Sequence, residues 1–362
     1  MKESQNRKLN NAKSAKQDEF YTRREDIEDE LQHYQPFFEN KVVYCNCDDP
    51  VESEFWKFFV RVFRSWHIKK LMATHYDPNE RNYAYKLELT GDTNGDGKID
   101  WNDEPVKTQI PCNGDFRSAA CIEMLKEADI VVTNPPFSLF REYIAQLVKY
   151  KKDFLVLGAL NAVKYKEIFP YIKSGEIVLG YGPVTGAAFY RLPDRLFDPE
   201  KVGSKDYTDE QGNHWVRVNG VRWFTNLDIA KHKGFIDLRG NYYRNGGYPV
   251  YDNFDAIDVS KVTDIPCDYS GLMGVPISLL DKYDSDQFEI IGVSNVNGLL
   301  DGVGEIGQKW IDDYKAHGGT GHITANMHSL VGYNPDGTPK SFYSRIIVRL
   351  KHPEPRRYPD AN

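Results

Sequence analysis

Apolar positions recur along this chain with two alternating rhythms. Residues 23–35, RREDIEDELQHYQ, place Ile27, Leu31 and Tyr34 at the i, i+4, i+7 spacing of an amphipathic helix, which Pro36 ends. KVVYC (41–45) is then a continuous apolar run, the mark of a strand buried on both faces. The helical stretch ESEFWKFFVRVFRSW leads to a second run at IKKLMA (68–73), and DIVVT (129–133) and DFLVLGA (153–159) follow. Between those last two runs, FSLFREYIAQLVKY sets Leu139, Phe140, Tyr143, Ile144 and Leu147 at helical spacing. Short apolar strands alternating with amphipathic helices predict βαβ units and an α/β fold whose parallel sheet is covered on both faces. Such sheets bind ligands at the carboxyl ends of their strands. After residue 230 the texture changes to glycine, tyrosine and aspartate turns with few clean helices. This divides the chain into a basic tail (1–17), a first domain (18–230) and a second region (231–362).

Composition narrows the class. The 362 residues are 40% hydrophobic and 13% aromatic, enough to bury a core. No apolar run approaches the roughly 18 residues of a membrane span, and the basic start MKESQNRKLNNAKSAK lacks the apolar core of a secretory signal. Five cysteines without a CxxC pair fit a reducing, cytoplasmic setting. With 46 Lys+Arg against 53 Asp+Glu the net charge is −7, so a polyanionic partner requires the cations to be gathered locally. They do gather at the front (Lys2, Arg7, Lys8, Lys13, Lys16) and at the back (Arg345, Arg349, Lys351, His352, Arg356, Arg357), where each end taken alone reads as a solvated tail.

The chemistry lies where DIVVT ends, in Thr133-Asn134-Pro135-Pro136-Phe137. Two prolines fix φ and remove two backbone donors, so the chain leaves the strand in a rigid extended turn. The Asn134 amide and the Pro135 carbonyl can then accept hydrogen bonds, with the flat face of Phe137 beside them. This arrangement suits a planar ligand with an exocyclic amine. A simple strand-ending Asn-Pro turn is the alternative, but it accounts for neither the second proline nor the aromatic.

Asn-Pro-Pro-Phe after a strand resembles the Asn/Asp-Pro-Pro-aromatic motif of S-adenosylmethionine-dependent amino-methyltransferases. Together with Asp18-Glu19-Phe20-Tyr21-Thr22, Lys41 through Pro50, Gly114-Asp115-Phe116-Arg117-Ser118 and Asp129 through Phe140, the chain resembles the EcoRI-type adenine-specific DNA methyltransferases. The resemblance implies a Rossmann-like methyltransferase fold with a mostly parallel seven-stranded sheet, plus a smaller C-terminal mixed α/β region for target recognition. It also implies methyl transfer from S-adenosylmethionine to the N6 of an adenine flipped out of duplex DNA. Asn134 and Pro135 would bind the amino group, Pro136 would hold the turn, and Phe137 would stack on the base. Phe189 falls where the family carries a second aromatic, with core packing an equal reading. For the cofactor, the resemblance points to Tyr21 and Thr22, to Asn46, Asp48 and Asp49 after the first strand, and to Asp115 and Phe116 at the adenine end. The ribose acid is not evident; Asp77 is a candidate. Most methyltransferases have a glycine-rich turn after the first strand, whereas Cys45-Asn46-Cys47-Asp48-Asp49-Pro50 has no glycine, a departure shared by the EcoRI-type branch. The family further implies a monomer acting without membrane contact, within a restriction-modification system whose endonuclease forms no stable complex with it. A catalytically silent DNA- or calcium-binding module, and methylation of RNA or of a protein amide, remain as alternatives.

One insertion carries its own signal. Asp92, Asn94, Asp96, Lys98, Asp100 and Asp103 match the ligand positions of a twelve-residue calcium loop, with Gly97 at the sharp turn. The flanks YAYKLEL and VKTQIPC look like hairpin arms rather than paired helices, and predict Ca2+ as a structural clip. An acidic turn built on Asn-Gly and Asp-Gly is the competing reading. Gly302 through Gly307 spells GxGxxG, but it does not directly follow the strand FEIIGV and has no acid about 20 residues on, so it reads as a glycine-rich loop.

Overall fold

The computed structural model describes residues 21–47, 49–77, 84–91, 95, 103, 105–183, 187–192, 197, 203–244 and 247–355. The basic tail (1–17), Asp48, and Asp92, Asn94, Asp96, Lys98 and Asp100 of the calcium-type loop lie outside these residues. Two compact units result: Met1–Glu167 with Ile177–Asp228, and Ile168–Glu176 with Ile229–Asn362.

The first unit is built on the strands β1 (Tyr21–Thr22), β2 (Val42–Cys45), β3 (Lys70–Thr74), β4 (Tyr85–Leu89), β5 (Val106–Gln109), β6 (Ile130–Thr133), β7 (Asp153–Ala159), β8 (Val178–Leu179), β9 (Ala187–Leu192), β10 (Tyr207–Thr208), β11 (His214–Asn219) and β12 (Val221–Thr225). Its helices are α1 (Arg24–Leu31), α2 (Glu54–Val62), α3 (Ala119–Glu127) and α4 (Phe140–Lys149). The main sheet runs β5-β4-β3-β2-β6-β7-β12-β8. Every residue of β2 and β6 is buried, as their unbroken apolar runs demand of central strands. The pairings β2 with β3, β2 with β6 and β6 with β7 are parallel. Those of β3 with β4, β4 with β5, β7 with β12 and β12 with β8 are antiparallel. The expected mostly parallel sheet of seven strands is therefore corrected to one of eight, parallel only at its centre. The added edge is the β4–β5 hairpin, in which Tyr85 faces Gln109 and Glu88 faces Val106. Its arms are the two stretches that flank the calcium-type loop, and antiparallel strands need only a turn between them where parallel ones need a crossover.

Local signals set the helices. Ser53 caps α2 by accepting from Phe55 N at 3.2 Å, and Ser118 caps α3 by accepting from Cys121 N at 3.3 Å, each worth about 1 kcal/mol. The helix expected over 23–35 is shorter than its apolar spacing suggests: α1 stops at Leu31, and a 3-10 segment, Gln32–Phe37, takes Pro36 within it. Phe140, Tyr143, Ile144 and Leu147 of α4 are buried, each contributing roughly 1.5–3 kcal/mol. A second small sheet, ordered β1-β9-β11-β10, is wholly antiparallel.

The second unit contains α5 (Phe169–Ser174), α6 (Gln308–Ala316) and the strands β13 (Ile257–Asp258), β14 (Met273–Pro276), β15 (Phe288–Val293), β16 (Val331–Tyr333), β17 (Pro339–Ser341) and β18 (Arg345–Leu350). Its sheet runs β13-β14-β18-β15, so Arg345 and Arg349 stand on an interior strand and not on a solvated tail. Arg345 pairs at 2.9 Å with Asp258, a buried carboxylate that also accepts from the Tyr251 hydroxyl at 2.8 Å. Residues 302–307 form the loop leading into α6, with Gly304 N bonded to Asn253 O at 2.7 Å.

Candidate active site

The carboxyl ends of β2, β3 and β6 converge on one region of the first unit. At the end of β6, Thr133 donates its hydroxyl to the carbonyl of Asn46, which follows β2. This bond links the turn after β2 to the residue immediately before Asn134. The Asn46 side chain accepts from the Tyr143 hydroxyl of α4, and the Tyr143 ring stands edge-on to Phe116 with centroids 5.0 Å apart. Tyr143 is fully buried, and that burial pushes its hydroxyl well above the usual tyrosine range. Asn46, Phe116 and the Asn134 turn are thus braced by one helix residue that the sequence marks only as core.

The turn after β2 solves its lack of glycine unexpectedly. Cys47 takes φ = +70°, a left-handed conformation that usually falls to glycine, so the chain turns as a glycine-rich loop would. Asp49 follows, accepting from Val51 N at 2.9 Å and lying 3.4 Å from both the Tyr85 hydroxyl and His75 Nε2. His75 stacks on Tyr85 with centroids 4.9 Å apart. Burial, with the Asp49 carboxylate adding to it, pushes the Tyr85 hydroxyl up to about 12. Beyond β3, Asp77 N bonds to Asn113 O at 2.8 Å, which draws the 113–116 loop against that strand end. Gly114 makes this approach possible: its φ is +82°, and a Cβ there would stand 2.0 Å from the His75 carbonyl oxygen.

Asp115 accepts from Arg117 at both carboxylate oxygens, at 2.9 and 2.7 Å. These bonds hold its carboxyl below the usual carboxylate range. Phe116 is buried. On β1, the buried Thr22 hydroxyl has no hydrogen-bond partner among the described residues, and neither has Nδ1 of His75. Buried polar atoms of this kind are uncommon and mark this region as one with hydrogen-bonding capacity to offer.

Asn134 is 7% exposed. The Pro136 carbonyl accepts from Leu139 N at 3.0 Å, which closes the turn that carries Asn134 and Pro135. Phe137 begins a 3-10 turn and lines a cavity of about 540 Å³ together with Ser138, Arg141, Glu142, Ala145, Tyr165 and Glu167. Its ring meets Tyr190 edge-on, with centroids 6.4 Å apart. Phe189, next along the same strand, has other neighbours. Successive strand residues face opposite ways, and Phe189 sits 5.6 Å from Tyr207 with Arg23 over its ring at 4.9 Å. Tyr190 is thus the β9 residue that meets Phe137, a contact to which the period-two alternation of β9 could have pointed. Tyr21 and Thr22 pair with Arg191 and Tyr190 across β1 and β9, bringing Thr22 beside Tyr190.

Among the described residues there is no cluster of three or more His, Cys, Asp or Glu side chains able to hold a metal, and Asp103 is buried.

The family profile described as "Adenine-specific methyltransferase EcoRI" matches residues 8–351. The chain belongs to this family. The Type II methyltransferase M.EcoRI of Escherichia coli is 43% identical over 295 residues, 79% of this chain and 89% of that protein. Type II methyltransferase M.MgeORF184P of Mycoplasma genitalium is 38% identical over 81% of this chain and 88% of its own. M.MpnI of Mycoplasma pneumoniae is 39% identical over the same shares. Each matched region takes in most of the relative, so the chain is related to these methyltransferases over nearly their whole length. No helix among the described residues is long and apolar enough to cross a membrane.

Proposed function

We propose that this adenine-specific methyltransferase transfers the methyl group of S-adenosylmethionine to the N6 amino group of an adenine in duplex DNA, at a specific site. The observation that carries the reading is the Asn134-Pro135-Pro136-Phe137 turn at the end of β6, joined through Thr133 to Asn46 in the turn after β2. The cofactor, when bound, supplies an electrophilic methyl group on its sulfonium. Residues around the Cys47 turn, Thr22 and the 113–116 loop fit such a group: Thr22 offers a buried hydroxyl, and Gly114 lets the loop that carries Asp115 and Phe116 close on the end of β3. Asp48 and Asp49 would hold its ammonium end, and Asp115 and Phe116 its adenine. Asn134 and Pro135 accept hydrogen bonds from the target amine, drawing its lone pair out of conjugation with the ring and orienting it for in-line attack. Phe137 stacks on the base, and Tyr190, edge-on to Phe137, sets the angle of its ring. An adenine inside the duplex could not reach this buried turn, so it enters flipped.

The proposal includes a restriction-modification setting, with the protein a monomer and the matching endonuclease a separate protein. It also keeps Ca2+ at residues 92–103, as a clip joining the arms of the β4–β5 hairpin and not as a catalyst. The test is incubation with mixed-sequence duplex DNA and methyl-labelled S-adenosylmethionine, followed by identification of the labelled base. Label in N6-methyladenine is the expected result. Label confined to RNA or protein substrates would overturn the reading.

A further inference from the structure

A ribbon in the second unit combines features that the methyl-transfer site does not use. Between Lys231 and Arg244 the chain carries four lysines and arginines against one aspartate, in a protein whose net charge is −7. The ribbon is pinned from within. The side chain of Gln287, itself 7% exposed, accepts from Ile236 N and donates to Ile236 O, both at 2.8 Å. Gly240 pairs with Pro266, and its O accepts from Cys267 N at 3.0 Å. Only glycine fits there, since a Cβ would lie 2.6 Å from the Asp264 carbonyl oxygen. Tyr242 N is held by Asp268 at 2.7 Å. With Ile236, Gly240 and Tyr242 anchored, the ribbon turns Phe235, Arg239, Tyr243 and Arg244 to solvent; Phe235 is 61% and Tyr243 46% exposed. Tyr243 is itself braced edge-on against Tyr242, which packs on Tyr269 at 4.3 Å.

We propose that this ribbon is a docking surface for duplex DNA, with Arg239 and Arg244 on backbone phosphates and Tyr243 packed against the adjoining sugar and base. The inference rests on DNA being the methyl acceptor. Exposed guanidinium groups beside a rigid aromatic are the chemistry that recognises a stacked polyanion, and a net-acidic chain needs such a local concentration of cations to approach one. Prior anchoring also matters, because a pinned ribbon loses little entropy on binding. Asp237 bonds to Arg239 at 2.9 Å with both side chains largely exposed. A pair so solvated contributes little, so a phosphate can take its place.

The test uses the full-length protein and a labelled mixed-sequence duplex, with dissociation constants measured across a salt series. The double variant Arg239→Ala/Arg244→Ala should lower the slope of log affinity against log salt by about 2, at roughly 0.9 per phosphate contact. Tyr243→Ala should weaken binding about fivefold or more with the slope unchanged. Asp237→Asn should tighten binding at low salt. Circular dichroism and S-adenosylmethionine titration should match the parent protein for all three. A double variant with an unaltered slope, in a protein that still methylates DNA, would overturn the docking surface alone. A parent protein that leaves no N6-methyladenine in DNA would overturn the acceptor reading instead.

Discussion

Asn134 is the residue on which the reaction should turn. Its amide is buried at a proline-stiffened strand end, and removing one positioned hydrogen-bonding group from a pre-arranged site costs about 10²–10³ in rate. Asn134→Ala should therefore reduce methyl transfer by at least that factor while S-adenosylmethionine still binds, as calorimetric titration would register; full residual activity would remove Asn134 from the site. Tyr190 and Phe189 offer a sharper comparison, since neighbours on one strand face opposite ways. Only Tyr190 meets Phe137, and an edge-to-face pair is worth about 0.5–1.5 kcal/mol, so Tyr190→Ala should lower kcat/KM roughly tenfold more than Phe189→Ala. The reverse order would assign the second-aromatic role to Phe189. Acid also acts at this scale. Asp115 is held below its usual range by Arg117, so its folded pKa is depressed. The stabilisation it contributes is complete above the ordinary carboxylate pKa and fades as pH falls through the depressed value. Arg117→Ala should remove the side-chain part of that contribution while the Arg117 N bond at 2.8 Å stays, and acid titration followed by circular dichroism should show the variant unfolding at higher pH than the parent.

At the scale of elements, the site depends on close approaches between strand ends and loops. Gly114→Ala would place a methyl group against the His75 carbonyl in a backbone conformation that alanine resists. The 113–116 loop should then lift from the end of β3, costing at least about 1 kcal/mol of stability and weakening S-adenosylmethionine binding, read by thermal unfolding and titration. The β4–β5 hairpin gives a second prediction. If Ca2+ clips its arms together, millimolar Ca2+ should raise the melting temperature and chelator should lower it again; an unmoved transition would leave residues 92–103 as an acidic turn. Much of this level was legible in the pattern of residues. DFLVLGA coincides with β7, KVVYC and DIVVT differ by a residue from β2 and β6, and the hairpin arms lie where YAYKLEL and VKTQIPC foretold. Periodicity reads such segments well because burial on one or both faces is a local property of the strand. It reads poorly where α1 gives way to the 3-10 segment around Pro36, because the i+4 spacing that continues through Tyr34 does not register the change of helix type.

At the scale of the molecule, the two units divide at Asp228/Ile229, close to the change of texture after residue 230, but Ile168–Glu176 joins the second unit from within the sequence of the first. Proximity in sequence gave no hint of that exchange, because α5 packs by which surfaces it can cover and not by its neighbours in the chain. The same distinction separates what was settled at each level. From the residues alone came the alternation of strands and helices, the rigid Asn134 to Phe137 turn and the hairpin arms, since each depends on φ restriction, propensity or burial over a few positions. Tertiary structure decided the eight-strand order, the left-handed Cys47 turn, the edge-on meeting of Tyr190 with Phe137, and the place of Arg345 beside buried Asp258. Those outcomes depend on register and on partners tens of residues away, and a one-residue difference in register reverses which face a side chain meets.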